Sequence, residues 1–136
     1  MNQVAVVYWS GTGNTEAMAK AVAEGAQSAG AAATVFEVGE FTPAQAAGFD
    51  TLAFGCPAMG SEELEEEQFR PLWDSCKPVL TGKQIVLFGS YGWGDGEWME
   101  SWKEEAPCQI LDTYICVETP GDEELASCRA LGEKLA

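Results

Sequence analysis

Apolar residues along this chain come in two rhythms. Val4 to Tyr8 is an unbroken apolar run of strand length. Residues 14–29 instead carry Met18, Ala21, Val22, Gly25 and Ala29 at helical spacing behind Asn14 and Thr15, residue types that start helices. The strand, loop, helix order returns with Thr34 to Val38, a short helical piece from Pro43 to Ala47, and the run Thr51 to Cys56. A third unit is helical from about Leu64 to Cys76, where Pro71 blurs the boundaries. Gln84 to Gly89 reads as another buried strand, and Gly96 to Glu105 as a helix that sets Trp98 and Trp102 on one core-facing side. Ile110 to Val117 supplies the last strand, interrupted at Asp112 and Thr113. From Gly121 onward Leu125, Cys128, Leu131 and Leu135 mark a closing amphipathic helix.

Five strands alternating with helices predict an α/β fold, a three-layer doubly wound five-stranded parallel sheet with right-handed crossovers. A length of 136 residues and an apolar share of 46% suit a single domain over 1–136 with one continuous core. No repeats, low-complexity tracts or linkers interrupt it. In such sheets ligands sit beyond the carboxyl ends of the strands where strand order reverses, which directs attention to the loops near residues 10, 57 and 90.

Charge and composition narrow the function. A net charge of −15 disfavours nucleic acid and anionic membranes, both polyanionic, and favours cationic protein partners. Histidine is absent, so no side chain titrates near neutrality without a strongly shifted pKa, and acid–base or nucleophilic catalysis is demoted. The five cysteines (Cys56, Cys76, Cys108, Cys116, Cys128) are odd in number and never form C-x-x-C, so they read as buried reduced thiols. The N-terminus lacks a basic leader, and Val4 to Trp9 is too short to cross a bilayer. A soluble, cytoplasmic, monomeric protein is expected.

The first of the three loops, SGTGNT, is neither a dinucleotide fingerprint nor a Walker loop: no third glycine and no lysine follow. Gly11 and Gly13 would let the backbone wrap closely around an anion. Ser10, Thr12, Asn14 and Thr15 add side-chain donors at a helix N-terminus, so a terminal phosphate suits this cradle. The first basic residue is Lys20, so the anion would be held by neutral dipoles.

These residues resemble the phosphate loop of flavodoxins, whose T/S-x-T-G-x-T pattern SGTGNT meets in full. The second loop, CPAMGSEE, and the third, GSYGWGDGEW, are similar to the two flavin-flanking loops of short-chain flavodoxins of the kind found in anaerobes, so the resemblance spans essentially the whole chain. That family is itself a standard illustration of the switch-point rule. The resemblance implies strand order 2-1-3-4-5 and non-covalent FMN, held by Ser10, Gly11, Thr12, Gly13, Asn14 and Thr15, by Pro57, Ala58, Met59, Gly60, Ser61 and Glu62, and by Ser90, Tyr91, Gly92, Trp93 and Gly94. Met59 would pack one face of the isoalloxazine and Trp93 the other. Glu62 would accept from flavin N3–H, while Glu63 and Glu65 to Glu67 read as solvated surface. Pro57 stands where some relatives have serine, which leaves the cradle more dependent on the first loop. Tyr91 suits packing and ring contact equally.

Gly60 would let the Gly60-Ser61 peptide flip, so that its carbonyl accepts from flavin N5–H and stabilises the semiquinone by about 1 kcal/mol or more. Glu62, Asp95 and the acidic protein would oppose a second negative charge. At about 10 Å and an effective dielectric of about 20, each unscreened charge contributes roughly 1.7 kcal/mol, or about 70 mV per electron. The expected function is a low-potential one-electron carrier between cytoplasmic oxidoreductases, whose partners dock through basic patches: ferredoxin-dependent oxidoreductases and flavodoxin reductases. An FMN enzyme on the same fold, such as a quinone or flavin reductase, would need a second substrate pocket. A low-molecular-weight phosphatase would need C-x5-R, but no arginine follows Cys56 in CPAMGSEE. A phosphoacceptor receiver domain would need an acidic cluster that these loops lack.

Overall fold

The computed structural model describes residues 2–59, 63–92, 94 and 96–136. Its strands are β1 (Gln3–Tyr8), β2 (Ala32–Glu37), β3 (Thr51–Gly55), β4 (Gln84–Tyr91) and β5 (Gln109–Val117). They form one parallel sheet in the order β2-β1-β3-β4-β5, as expected. Strand order reverses between β1 and β3, so the loops that follow these two strands diverge and leave a crevice at their carboxyl ends.

Alternate strand residues serve opposite layers. Ala5, Val7, Leu52, Phe54, Ile85 and Leu87 face α2 (Pro43–Ala47), α3 (Phe69–Leu80) and α4 (Glu97–Glu105), where Trp73, Trp98 and Trp102 are buried. Val4, Val6, Ala53, Val86 and Phe88 face α1 (Asn14–Ser28) and α5 (Asp122–Glu133). A strand covered on both sides has no solvent face, which is why these runs are continuously apolar. Helices α1 and α5 touch backbone to backbone. A Cβ on Gly25 would stand 1.8 Å from the Arg129 carbonyl oxygen, and one on Gly132 would stand 1.9 Å from that of Val22.

Four local expectations need correction. Helix α3 begins at Phe69 and runs to Leu80, rather than from Leu64 to Cys76. The cause is Glu65, which is buried, not solvated surface: its carboxylate accepts from the backbone N–H groups of Glu67 (2.8 Å), Gln68 (2.7 Å) and Phe69 (2.8 Å) and folds that stretch into a turn. Pro71 then falls in the first helical turn, where its missing N–H leaves no bond unmade. Strand β5 is continuous through Asp112 and Thr113. The irregularity is a bulge at Leu111, since Ile85 pairs with Ile110 and Val86 with Asp112. Asp112 is tolerated on this edge strand because it accepts from Lys134 Nζ at 2.7 Å; that bond, helped by the Thr113 N–H, outweighs the opposing effect of partial burial and holds its carboxyl below the usual range. Finally, Cys108 is half-buried, unlike the other thiols.

Candidate functional site

Hydrogen bonds knit the strand ends together. The Trp9 N–H donates to the Gly55 carbonyl (3.0 Å), Cys56 to Phe88 (3.1 Å) and Ala58 to Ser90 (3.1 Å), so the three loops leave the sheet in fixed relation. Between them opens a cleft of about 310 Å³, in the range that takes a cofactor-sized ligand. Of the expected residues, Gly11, Thr12, Asn14, Pro57, Ala58, Met59, Ser90, Tyr91 and Gly92 line it. Ser10, Gly13, Thr15 and Gly94 do not, although the first three build the adjoining turn. Gly60, Ser61, Glu62 and Trp93, together with Asp95, lie outside the described residues. The segment 60–62 is bracketed by two bonds between Met59 and Glu63, N–H to carbonyl in each direction at 2.9 and 3.1 Å.

The first loop carries what a phosphate needs. Gly13 takes a left-handed φ of 93° as the N-cap of α1, and no side chain caps that helix, so the amides of its first turn have no intrahelical acceptor. Thr15 Oγ1 is buried and has no hydrogen-bond partner. A buried hydroxyl left unmatched is costly in a native fold, and an anion beside it would satisfy it. One detail differs from a cradle made only of free amides, because the Gly13 N–H donates to Ser10 Oγ at 3.0 Å. Lys20 Nζ stands 3.5 Å from the Glu16 carboxylate, so its charge is already directed within the helix.

Two residues of the cleft wall had not been expected from sequence. Trp9 stacks over Gly11, where a Cβ would meet its ring at 3.0 Å, and the indole N–H donates to Gln68 Oε1 at 2.9 Å. Its place immediately after the first strand and before the glycine loop was a usable signal. Glu118, just beyond β5, had none: only strand pairing brings it beside Tyr91. Tyr91 both lines the cleft and packs its ring against Trp98, with centroids 5.4 Å apart.

Below the second loop, Cys56 anchors the turn toward α3, with its Sγ accepting from the Glu65 N–H at 3.4 Å. Burial pushes the Cys56 thiol up to about 12, so it stays protonated. Burial also pushes the Glu65 carboxyl up, but three backbone N–H bonds outweigh this and hold it below its ordinary value. A larger cleft of about 720 Å³ between α3 and α4 is walled by Glu63, Glu66, Glu97 and Trp98. Its Arg70 is already paired with Glu105, which also accepts from Trp73 Nε1 at 2.6 Å. Carboxylates there would repel a phosphate, so the smaller cleft at the strand ends is the better site for an anionic cofactor.

The flavodoxin family model matches residues 6–107. This chain belongs to the flavodoxin family. It is 43% identical over 136 residues to the flavodoxin of Megasphaera elsdenii, covering 98% of each chain, and 40% identical over 134 residues to that of Clostridium beijerinckii, covering 96% of this chain and 97% of the relative. The solution structure of the two-electron reduced Megasphaera elsdenii flavodoxin superposes with a TM-score of 0.88 at 44% identity, over 96% of each chain. Flavodoxins bind FMN and carry electrons, and FMN is the cofactor of this chain. The orphaned Thr15 hydroxyl and the uncapped start of α1 suit its phosphate.

Proposed function

We propose that this flavodoxin is a one-electron carrier in which the first loop, Ser10 to Thr15, holds the FMN phosphate while the second and third loops enclose the ring. Bound FMN supplies the electron-accepting ring; the chain supplies position, dryness and charge. Thr15 Oγ1 and the first amides of α1 donate to the phosphate. Pro57, Ala58 and Met59 form one wall of the ring cleft, and Ser90, Tyr91 and Gly92 form another. Trp93 is assigned to the face opposite Met59, Glu62 to flavin N3–H, and Gly94 to the shape of the third loop.

The observation that carries this reading is the convergence of the loops after β1, β3 and β4 on one cleft beside an unsatisfied buried hydroxyl. The finer assignment is that a Gly60-Ser61 peptide flip favours the semiquinone and that the acidic protein makes the next step strongly reducing. Stepwise dithionite reduction of the FMN-loaded protein tests it, with a blue intermediate expected. Gly60→Val should lower the yield of that intermediate, and an unchanged yield removes the flip.

The proposed setting is a cytoplasmic monomer of 1–136 as one domain, exchanging electrons with oxidoreductases through basic docking patches, and binding neither nucleic acid nor membrane. Among the described residues no helix is long and apolar enough to cross a membrane. With a net charge of −15, association with a cationic partner should slow steeply as salt rises. Turnover of NAD(P)H and quinone by the protein alone would instead make it an enzyme.

A further inference from the structure

We infer that Gln68 is a positioning residue for the first loop of the FMN cleft: it holds the Trp9 indole against Gly11 and thereby ties that loop to the turn that leads out of the second. This rests on the FMN reading above. Trp9 stands between β1 and SGTGNT and is held at both ends. Its backbone N–H donates to the Gly55 carbonyl at 3.0 Å, and its indole N–H donates to Gln68 Oε1 at 2.9 Å, across 59 positions of sequence. Between these two bonds the six-membered ring lies so close to Gly11 that a Cβ there would meet Cη2 at 3.0 Å and Cζ3 at 3.4 Å. The ring therefore backs the chain where it starts to wrap an anion.

Gln68 is itself firmly placed. It is the N-cap residue of α3, its backbone N–H donates to Glu65 Oε1 at 2.7 Å, and its carbonyl accepts from the Leu72 N–H at 3.4 Å. Glu65 is buried and its own N–H donates to Cys56 Sγ at 3.4 Å, so this anchor reaches the strand end from which the second loop springs. The Gln68 side chain is exposed and lies outside both core layers. Removing its oxygen leaves an indole N–H that water can reach, so no buried donor is stranded; what disappears is the restraint on the ring. An indole free to turn about its two side-chain torsions no longer backs Gly11 in one orientation. The ordering of ring and loop then falls on the binding step and weakens it.

The test uses the full chain, freed of flavin and titrated with FMN by fluorescence in about 0.5 M NaCl, where an added charge is screened. Gln68→Met keeps the length of the side chain without its oxygen. It should raise the FMN dissociation constant about fivefold, the worth of one ordinary hydrogen bond, with no change in Tm. Gln68→Glu retains an oxygen that accepts from the indole, and should stay within about twofold of wild type. In a Trp9→Phe background, which has no indole N–H, Gln68→Met should have no further effect. With fluorotryptophan incorporated, the fluorine NMR signal missing from Trp9→Phe belongs to Trp9, and in the flavin-free protein it should shift and broaden in Gln68→Met.

An FMN constant unchanged in Gln68→Met overturns the inference. So does an equal loss in the Trp9→Phe background, because Gln68 would then act by a route other than the indole. A loss that Gln68→Glu does not recover also overturns it, since acceptance from Trp9 would not be what matters. A Trp9 fluorine signal that ignores Gln68→Met removes the latch itself, whether or not FMN binds. Failure of the wild type to take up FMN would instead defeat the underlying reading.

Discussion

Replacing Thr15 with valine removes a hydroxyl that makes no bond within the protein while keeping the branched shape that fills its buried site. Stability should therefore change little. FMN affinity should fall by about 1.5–3 kcal/mol, the worth of a hydrogen bond to a charged group, or roughly tenfold to a hundredfold in dissociation constant. Fluorescence titration reads this directly, and unaltered affinity would show that the hydroxyl does not face the phosphate. The thiols offer a second residue-level prediction. Burial pushes both Cys56 and Cys128 up to about 12, whereas Cys108 is half-buried. Iodoacetamide at about pH 8 should label Cys108 first and leave Cys56 and Cys128 unmodified until the protein unfolds, since only a thiolate reacts. Mass spectrometry of timed samples gives the order.

Two elements depend on contacts that their own sequences do not announce. Helix α3 is started by Glu65, whose carboxylate takes the backbone N–H groups of Glu67, Gln68 and the first helical residue, Phe69. Glu65→Ala should cost about 2–3 kcal/mol in urea unfolding near neutral pH, since it removes a charged cap and strands buried donors. The folded protein holds this carboxyl below its ordinary value of 4.5, so the stabilisation is fully present above that pH and is lost as the pH falls through the folded value. The gap between wild type and variant should accordingly narrow in acid, and a constant gap would assign the loss to packing. For α1 and α5, alanine at Gly25 or Gly132 would improve helix propensity by about 1 kcal/mol in an isolated peptide. In the protein the added methyl meets a carbonyl oxygen below 2 Å, so a net loss of about 1–3 kcal/mol is expected by denaturant titration.

Across the whole molecule, 22 acidic residues face 7 basic ones. Such an excess opposes the compact state, and added salt screens it. Raising NaCl from about 0.02 to 0.5 M should lift the Tm of the cofactor-free protein by roughly 2–6 °C, whereas a falling Tm would mean that local ion pairs outweigh the net repulsion. The charge is also unevenly used. Glu16 pairs with Lys20 on α1, and Arg70 and Lys77 converge on Glu105 between α3 and α4, so several of the few cations are committed to holding helices. Among the described residues that line the cleft there is no cation, only neutral groups and the Glu118 carboxylate.

Much of this protein was legible from local order. The strand runs at Val4, Thr51 and Gln84 are apolar because a sheet covered on both sides buries every position, and that same fact predicts the layers and the crevice. SGTGNT announces its chemistry because glycines and short hydroxyl side chains are what a backbone needs to wrap an anion. The start of α3 was misplaced because Glu65 looks like its acidic neighbours until folding buries it against Cys56. Trp9 closes the first apolar run and carried no assigned role in the sequence, yet its ring turns into the cleft over Gly11. Glu118 becomes part of the site only because β5 pairs with β4 and its N–H finds the Tyr91 carbonyl. Periodicity and turn chemistry act between near neighbours and can be read along the chain. Which carboxylate is buried, which glycines let two helices touch and which strand end closes a cleft are decided by residues far apart in sequence, and only the packed structure brings those together.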